Sequence, residues 1–381
     1  MASPLRWRQL VTGPALVLAA ALAAAGCTSA TAGTSSTSAN APGPAAAAIT
    51  TAQASQVFNS YVATTAKAIQ TDDGTLALSV VTGAQQAVVS AGLKMDGAHS
   101  ASGGSAAYSG VLTLESAAYT YGAPTFYLPE PAGYPRFFVA DVTRAADGSD
   151  PSDGVATWVG GAEVPVDGPV LMLFQQSTAA GPWQLASVSQ FPAGMTLPRL
   201  ATDKNGYIPQ VPLTSTGLLA QPYATGPLQA AVVDDGPASA ATKAVAAGPL
   251  TTGVYQGARS RVSTGLQAPR GDIFQWAMQG AGYPAFALQT ANGGALVLYA
   301  MYLNSTVAVP SYINKADPID PGPPIEVPLA LSLLLPAGQP APRVQLEAQE
   351  LLSFAAVDPP AGTSKIRVIA IGGGINYAAA S

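Results

Sequence analysis

The sequence predicts an α+β protein with two tandem domains, each made of helices packed on a curved antiparallel sheet. In each half, a stretch with apolar residues at helical spacing precedes segments in which apolar and polar residues alternate. Turns rich in glycine and proline separate the alternating segments, and this order of elements is typical of α+β domains. The chain has 381 residues, and residues 51–381 suffice for two domains of about 150 residues each.

Two helices are predicted at the start of the first domain, residues 51–200. The first runs from Thr51 to the turn cluster Thr71–Gly74, and its apolar face consists of Ala54, Val57, Phe58, Tyr61, Val62, Thr65 and Ile69. The second directs another apolar set toward the core, namely Leu76, Val80, Val81, Ala84, Val88 and Ala91. A polar stretch at Asp96–Gly104, which contains the only histidine, His99, is predicted as a loop.

The remainder of the first domain is predicted to be an antiparallel meander. Alternating segments indicate strands at Val111–Leu114, Phe126–Leu128, Phe137–Thr143, Val170–Gln176 and Trp183–Phe191. Turn residues at Asp147-Gly148 and Ala180–Pro182 connect neighbouring strands. We therefore expect the helices to cover one face of this sheet.

A second domain with the same order of elements is predicted at residues 223–381, after a proline-rich connection at 201–222. Helices are expected at Ala238–Ala247 and Thr251–Leu266, and strands at Ala285–Thr290, Ala295–Leu303, Val327–Leu335, Val344–Phe354 and Lys365–Ile371. Asn292–Gly294 is typical of a hairpin turn. The motif Ala132–Phe137 recurs as Ala281–Phe286, and in both places we expect a strand to follow. The repeat predicts a tandem duplication.

The first 26 residues have the pattern of a secretory signal peptide. Arg6 and Arg8 form a basic head, and an apolar run at Ala15–Ala25 follows that is too short to span a bilayer. Residues 27–50 carry no charge and, up to Ala48, no large apolar side chain, which predicts a disordered tether at 27–50. The run ends at Gly26-Cys27, and Cys27 is the only cysteine in the chain.

The ending Ala24-Ala25-Gly26-Cys27 resembles a bacterial lipobox. The resemblance implies cleavage between Gly26 and Cys27, a lipid on the Cys27 thiol, and a mature protein on the extracytoplasmic face of the cell membrane. Two acyl chains hold a protein at a bilayer where one chain alone is marginal. The alternative is an ordinary signal peptide cut after an Ala-x-Ala site, with Cys27 present by chance.

Composition excludes several classes of function. Loss of the leader removes Arg6 and Arg8 and leaves a mature net charge of about −7, without a Lys/Arg cluster, so nucleic acid is not an expected partner. The chain has a single histidine and no Gly-x-Ser-x-Gly elbow, which argues against a Ser-His-Asp triad. A zinc site needs several histidine or cysteine ligands, and the chain has only one of each. Gly372–Gly374 lacks the Lys-Ser/Thr of a phosphate loop, and no cofactor is predicted.

One carboxylate is a candidate for chemistry. Alternation along the Phe137–Thr143 strand puts Phe137, Val139, Asp141 and Thr143 on one face. Apolar neighbours raise the pKa of a carboxylate and suit it to act as a general base, so Asp141, Phe137, Val139 and the later Trp183 are our cavity candidates. The alternatives are that this face meets solvent at the strand end, or that Asp141 pairs with Arg136 or Arg144.

Two acidic loops and several aromatic residues have simpler interpretations. Asp147–Gly154 clusters three carboxylates, and Asp317–Asp320 two, but neither has the spacing of a calcium loop, so no metal site is predicted. The tryptophans Trp158, Trp183 and Trp276 fit either a ligand groove or the core.

Short motifs resemble a family of actinobacterial lipoproteins of unknown function. They are the lipobox leader, the Ser/Thr/Ala tether, the first helix with Tyr61, the run Tyr134–Phe138, and Thr290–Val297. The first half, with Trp183 in its late strand, also looks like a nuclear-transport-factor-like domain, a cone of helices on a bent sheet. This resemblance implies a cone-shaped fold for the halves. It assigns no catalytic residue to this chain, since the same fold occurs in enzymes and in binding modules.

Two functions follow from these observations. The first is a non-catalytic surface module that binds a protein, a cell-wall component or a small apolar ligand, and the sequence favours it. The second is a cavity enzyme that uses a carboxylate such as Asp141. An enzyme predicts a closed pocket with an acid inside, whereas a binding module predicts a filled cone and an exposed apolar or aromatic patch.

Overall fold

A computed structural model describes residues 49–101, 119–130, 133–146, 157–159, 162–165, 167–264, 273–309 and 324–381. Six helices are described: α1 Thr51–Thr71, α2 Gly74–Ser79, α3 Gly83–Ala101, α4 Thr225–Asp235, α5 Thr252–Thr264 and α6 Leu329–Leu334. In the first half the described strands are β1 Tyr119–Tyr121, β2 Thr125–Tyr127, β3 Arg136–Ala146, β4 Thr157–Val159, β5 Ala162–Val164, β6 Gly168–Gln176 and β7 Trp183–Gln190. In the second they are β8 Ile273–Gly280, β9 Phe286–Gln289, β10 Ala295–Ala308, β11 Gln345–Asp358 and β12 Arg367–Ala380.

The first helix begins and ends where its sequence dictates. Thr50 and Gln53 form a capping box, in which each side chain accepts the main-chain N–H of the other. The helix ends at Asp72, whose φ of 51° is left-handed. Its apolar face buries Phe58 and Tyr61, and the helix expected after it is divided into α2 and α3.

Ten of the described strands form one antiparallel sheet. Its order is β1-β3-β6-β7-β12-β11-β10-β8, with β2 also on β3 and β9 also on β10, while β4 and β5 pair with each other. Counted inward from either outer edge, the two halves have corresponding orders: two strands pair with the same edge of a third strand, and two more strands follow. The α+β class, with helices and a large antiparallel sheet, is confirmed.

The two halves meet at β7 and β12. Ile371 pairs with Gln190 there, and a Cβ added to Gly372 would lie 1.9 Å from the Val188 carbonyl oxygen. Ala45–Ser381 forms a single compact unit. The expectation of two tandem domains, each with its own sheet, is therefore not confirmed, because this close backbone contact joins the strands of both halves. The domain boundaries stay predictions.

The core has three principal layers. Helices α1–α3 cover one face of the first half, over Phe138, Ala140 and Phe174, and α4–α5 cover one face of the second half, over Met301 and Phe354. The opposite faces pack against each other in what we call the central cluster, which includes Phe137, Val139, Leu171, Leu173, Phe286, Leu288, Leu296, Leu298, Ala355 and Val357.

The proline-rich connection packs on both halves. Leu200 and Ile208 are buried in the central cluster. The Ile208 N–H donates to the Leu128 carbonyl at 2.8 Å, and the Gln289 N–H donates to the Pro209 carbonyl at 2.9 Å. The connection thus follows β2 of one half and β9 of the other.

Several predicted elements differ from the structure. The Asp96–Gly104 loop was expected to contain His99, but α3 extends through that residue to Ala101. The strand predicted at Val327–Leu335 is α6. Its leucines pack against α3 and against residues of β11 and β12, in one buried cluster. In place of the helix expected at Ala238–Ala247 there are short 3₁₀ turns at 236–238 and 240–243, while α4 precedes them.

The short repeated motif does not mark equivalent positions. Tyr134 lies in the loop before β3, whereas Tyr283 lies in the loop before β9. In the sheet order, β9 corresponds to β2 and not to β3. The match between Ala132–Phe137 and Ala281–Phe286 is therefore not the register that relates the two halves.

Candidate functional site

Asp141 lies in the middle of β3 and is half-buried. Its Oδ2 accepts a hydrogen bond of 3.4 Å from the hydroxyl of Tyr127, on the neighbouring strand β2. Burial raises the pKa of Asp141, and the bond from Tyr127 partly offsets the rise. Burial, followed by the charge of Asp141 and its hydrogen bond, raises the pKa of Tyr127 to about 12. Tyr127 is therefore a protonated donor at neutral pH, and Asp141 is its acceptor.

The expected arginine partners lie over aromatic rings. The guanidinium carbon of Arg144 is 4.2 Å from the ring centroid of Tyr119, and that of Arg136 is 5.7 Å from the ring centroid of Tyr134. Arg144 is only 1% exposed, and contact with an aromatic face stabilises a cation that has left water. The hydrogen bond recorded for Asp141 is the one from Tyr127.

The four cavity candidates do not meet around one space. Phe137 and Val139 are buried in the central cluster. Trp183 instead packs in the layer beneath α1–α3, with its ring centroid 5.2 Å from that of Phe138. Phe137 and Phe138 are neighbours in β3 and point to opposite faces, so Trp183 lies across the sheet from Phe137.

The face that carries Phe137 and Val139 is packed. The ring centroids of Phe137 and Phe286 are 4.3 Å apart. A cleft beside them, lined by Leu173, Ser187 and Tyr283 among others, has a volume of about 20 Å³. That is room for about one water molecule, so this cleft does not admit a substrate.

A larger open groove lies between α3 and β12. Its walls are residues of α3, of the turn after α6 and of the last strand, and it has a volume of about 570 Å³, within the ~300–1,000 Å³ typical of ligand sites. The lining residues are Ala87, Ser90, Ala91, Lys94, Leu334, Pro336, Gln339 and the consecutive residues 376–380. We call this space the α3–β12 groove.

Lys94 is the one charged residue among those that line the α3–β12 groove. Its ammonium group donates to the main-chain carbonyl of Leu334 at 3.0 Å. A carbonyl oxygen is neutral, so this bond orients the ammonium group without cancelling its charge. Lys94 thus places one positive charge beside otherwise uncharged lining residues.

Asn376 completes a row of amides across three strands. Its Nδ2 donates to Gln349 Oε1 at 3.1 Å, and Gln349 Nε2 donates to Asn304 Oδ1 at 2.8 Å. The Oδ1 of Asn376 is buried, and among the described residues it has no donor. A buried acceptor without a donor costs free energy, so this oxygen is a local cost to the fold.

Our sequence interpretation missed the α3–β12 groove. We expected the last strand to end at Ile371, but β12 continues through Ala380 despite the glycines Gly372–Gly374. Lys94 is an isolated lysine in an alanine-rich helix, and no local pattern distinguishes it from a solvated side chain. The alternation of Ile375, Tyr377 and Ala379 is the signal that would have extended the strand.

Other sequence candidates fall outside the described residues. These are Gly26 and Cys27, the strand at Val111–Leu114, and the acidic loops Asp147–Gly154 and Asp317–Asp320. Within the described ranges, no three His, Cys, Asp or Glu side chains are grouped closely enough to hold a metal ion. No helix of the described part is long and apolar enough to cross a membrane.

Comparisons with known proteins identify relatives without assigning a function. The sequence model for a domain of unknown function, DUF8094, matches residues 45–376. An uncharacterized lipoprotein of Streptomyces coelicolor, SCO2278, is 28% identical over 252 residues, which cover 66% of this chain. The chain spans 65% of the length of that relative. No solved structure matches the chain.

Proposed function

The chain belongs to the family of the domain of unknown function DUF8094, and on that premise we propose that it is a lipid-anchored surface protein that binds a partner without catalysis. Its anchor is a lipid on Cys27, and the segment after Cys27 carries the folded part, which includes the buried Ile49, at the extracytoplasmic face of the membrane. The leader that ends at Gly26-Cys27 supports this anchor, and so does the similarity to the Streptomyces protein, an uncharacterized lipoprotein.

The proposal of a binding function rests on which parts of the structure are filled and which are open. The face expected to form a cavity is filled by side chains of both halves, including Phe137 and Phe286. The α3–β12 groove is open and contains no carboxylate among its lining residues. Its one charged side chain, Lys94, is held by a main-chain carbonyl, an arrangement that suits the recognition of a ligand.

A second candidate function is a cavity enzyme that uses Asp141. The observation in its favour is the hydrogen bond from Tyr127 to a carboxyl whose pKa burial has raised, since perturbed pKa values cluster at functional sites. The same hydrogen bond is also expected if Asp141 is a half-buried carboxylate with a purely structural role. Substituting Asp141 distinguishes the two functions.

A tandem duplication with nuclear-transport-factor-like halves belongs to this proposal. The equivalent strand order counted from either edge supports it. Superposing the halves of an experimental structure should place β2 on β9 and β3 on β10, with the helices of each half on the same face, and any other correspondence of strands would reject the duplication.

Photo-cross-linking on intact cells tests the binding function. A photoreactive residue at Ser90, exposed on the groove wall, should give a discrete cross-linked product, whereas one at Ser60, exposed on α1, should not. Asp141→Asn should leave the product unchanged. A loss of the product in Asp141→Asn, with the fold intact, would favour the enzyme. Absence of a product at both positions would contradict a binding function at this groove.

A further inference from the structure

We propose that the α3–β12 groove binds an extended peptide, which adds to the edge of β12 beyond Ile371, where none of the described strands pairs with it, and places a carboxylate on Lys94. The inference rests on the proposed binding function and specifies the chemistry of the partner. In this mode of recognition the main chain of a sheet edge supplies affinity, and neighbouring side chains supply specificity.

The pairing of β12 with β11 determines which main-chain groups face the groove. Ser381 and Gln345 exchange two hydrogen bonds, N–H to O at 2.9 and 3.2 Å. Hydrogen-bonded and non-hydrogen-bonded pairs alternate in antiparallel strands, and Ala380 pairs with Leu346 and Ala378 with Ala348. The N–H and C=O groups of Ala378 and Ala380 therefore point away from β11.

A side chain already uses one of these outward groups. The Nε2 of Gln339 donates to the Ala380 carbonyl at 2.6 Å, which places a hydrogen-bond donor on this edge in the manner of an added strand. The outward groups of Ala378 lie further along the same strand. A peptide main chain can pair with them, because an extended strand presents donors and acceptors every second residue.

Small side chains leave space for a backbone beside β12. Ala87 and Ala91 of α3 face the groove together with Ala378 and Ala380 of the strand. Ala91 and Ala378 are each 6% exposed and form its floor. Such walls allow a chain to approach closely and favour ligand residues with small side chains, such as alanine, serine and threonine.

Charge determines the second feature of the ligand. Lys94 is the only charge among the lining residues, and its bond to the Leu334 carbonyl leaves the ammonium charge unneutralised. A hydrogen bond between an ammonium and a carboxylate is about twice as strong as a neutral one. We therefore expect an acidic group on the peptide, supplied in the test by its C-terminal carboxylate.

Peptide titration of the full mature chain in detergent tests the inference. The probe is an N-acetylated hexapeptide, Thr-Ala-Thr-Ala-Thr-Ala, with a free C-terminal carboxylate. Its C-terminal amide should bind about fivefold more weakly, the size of one exposed charge interaction. A version with N-methyl groups on alternate residues should bind at least about tenfold more weakly, because it loses several main-chain hydrogen bonds.

Matched variants locate the site. Lys94→Gln should weaken the binding of the acid peptide about fivefold and leave the affinity for the amide peptide unchanged. Lys365→Gln is its control, because Lys365 also donates to a main-chain carbonyl, that of Thr242, at 2.7 Å. Ser90→Trp should fill the groove and weaken both peptides at least about tenfold, whereas Ser60→Trp on α1 should have no effect.

Four results would overturn the inference. They are no binding of the acid peptide, equal binding of acid and amide, binding that survives Ser90→Trp, and self-association of the protein that Ser90→Trp abolishes. The last would make a second copy of the chain the occupant of the β12 edge. If the peptide fails to bind while the Ser90 cross-link forms on cells, the binding function stands and the peptide inference falls. Failure of both experiments rejects both.

Discussion

The aromatic rings of Phe137 and Phe286 meet between the two halves of the chain, with centroids 4.3 Å apart and planes inclined by 35°. Phe137 is in β3 and Phe286 is in β9, so this contact joins the half that follows α1 to the half that follows α4. The contact belongs to the central cluster, which fills the face where we had expected a cavity. The folded part is therefore expected to unfold as one cooperative unit.

Phe137→Ala should destabilise the protein by about 3–5 kcal/mol, the usual cost of removing a buried phenylalanine. Phe137 is 4% exposed. Urea unfolding should show one transition, displaced to lower urea, because both halves lose the same contact. Tyr134→Ala is the control: Tyr134 is 38% exposed, and its loss should cost less than about 1 kcal/mol. Separate transitions for the two halves would contradict a shared core.

Gly372→Ala tests the contact between β7 and β12. A Cβ at this position would lie 1.9 Å from the Val188 carbonyl oxygen, which real atoms do not allow, so the strands must separate. We expect a loss of about 3 kcal/mol or more in free energy of unfolding. Gly374→Ala is the matched control in the same strand, since its Cβ would meet Val88 Cγ1 at 3.5 Å, an ordinary contact. Equal stabilities of the two variants would show that the strands are further apart than described.

Asp358→Asn should change how stability depends on pH. Asp358 is fully buried, its Oδ1 accepts the Ala220 N–H at 3.4 Å, and its Oδ2 has no partner among the described residues. Burial raises the pKa of its carboxyl to about 6, although hydrogen bonds from the main chain of Ala220 and Leu219 lower it. The folded state thus binds this proton more tightly than the unfolded chain, whose pKa is near 3.8.

The sign of the pH effect follows from that difference. The protonated carboxyl stabilises the fold fully below about pH 4, and this contribution is lost as the pH rises to about 6. Relative to wild type, Asp358→Asn should therefore gain about 3 kcal/mol between about pH 4 and pH 7, measured by urea unfolding at each pH. Asp203 is the control. Burial raises its pKa, but hydrogen bonds from Tyr207 and Asn205 lower it by more, so its pKa lies below the usual value. The difference in unfolding free energy between Asp203→Asn and wild type should therefore stay constant between about pH 5 and pH 7. If the difference in unfolding free energy between Asp358→Asn and wild type did not change with pH, the wild-type Asp358 carboxyl would be hydrated rather than buried.

Tyr299→Phe should leave a buried amide oxygen without a donor. The Tyr299 hydroxyl donates to Gln229 Oε1 at 2.6 Å, and Gln229 Nε2 donates to the Leu250 carbonyl at 3.0 Å. Burial raises the pKa of Tyr299, so the hydroxyl is protonated at all pH values of interest. Because Gln229 is fully buried, we expect a cost of about 1–3 kcal/mol. Adding Gln229→Leu should recover part of it, and equal stabilities of the single and double variants would contradict the hydrogen bond.

Cys27→Ser should release the protein from the membrane fraction. Cys27 is the only cysteine and directly follows Gly26 at the end of the leader, and without a thiol no lipid can be attached. The full chain and its serine variant should be compared by detergent partitioning of cell membranes. Asp141→Asn, which leaves the leader intact, should partition as wild type does. Identical partitioning of Cys27→Ser and wild type would reject the lipid anchor.

The sequence by itself determined the local elements of this protein. Apolar spacing predicted α1, and period-two alternation predicted β3, β6, β7 and β11, because these patterns follow from the geometry of one helix or one strand. Asn292–Gly294 predicted the hairpin between β9 and β10, where Gly293 has a φ of 83°. Of the site residues, the sequence could identify Asp141 as a half-buried carboxylate but not its donor, Tyr127, which is on another strand.

Only the tertiary structure decided how these elements assemble. The junction of β7 with β12 depends on Gly372 approaching Val188 across the chain, and no local pattern encodes an approach of that kind. The sequence of α6 predicted a strand. A short apolar run fits a helix or a strand equally well, and its conformation depends on what it packs against. The α3–β12 groove likewise exists because a helix and a strand about 280 residues apart lie side by side. Contacts distant in the sequence therefore set both the shared core and the candidate binding site.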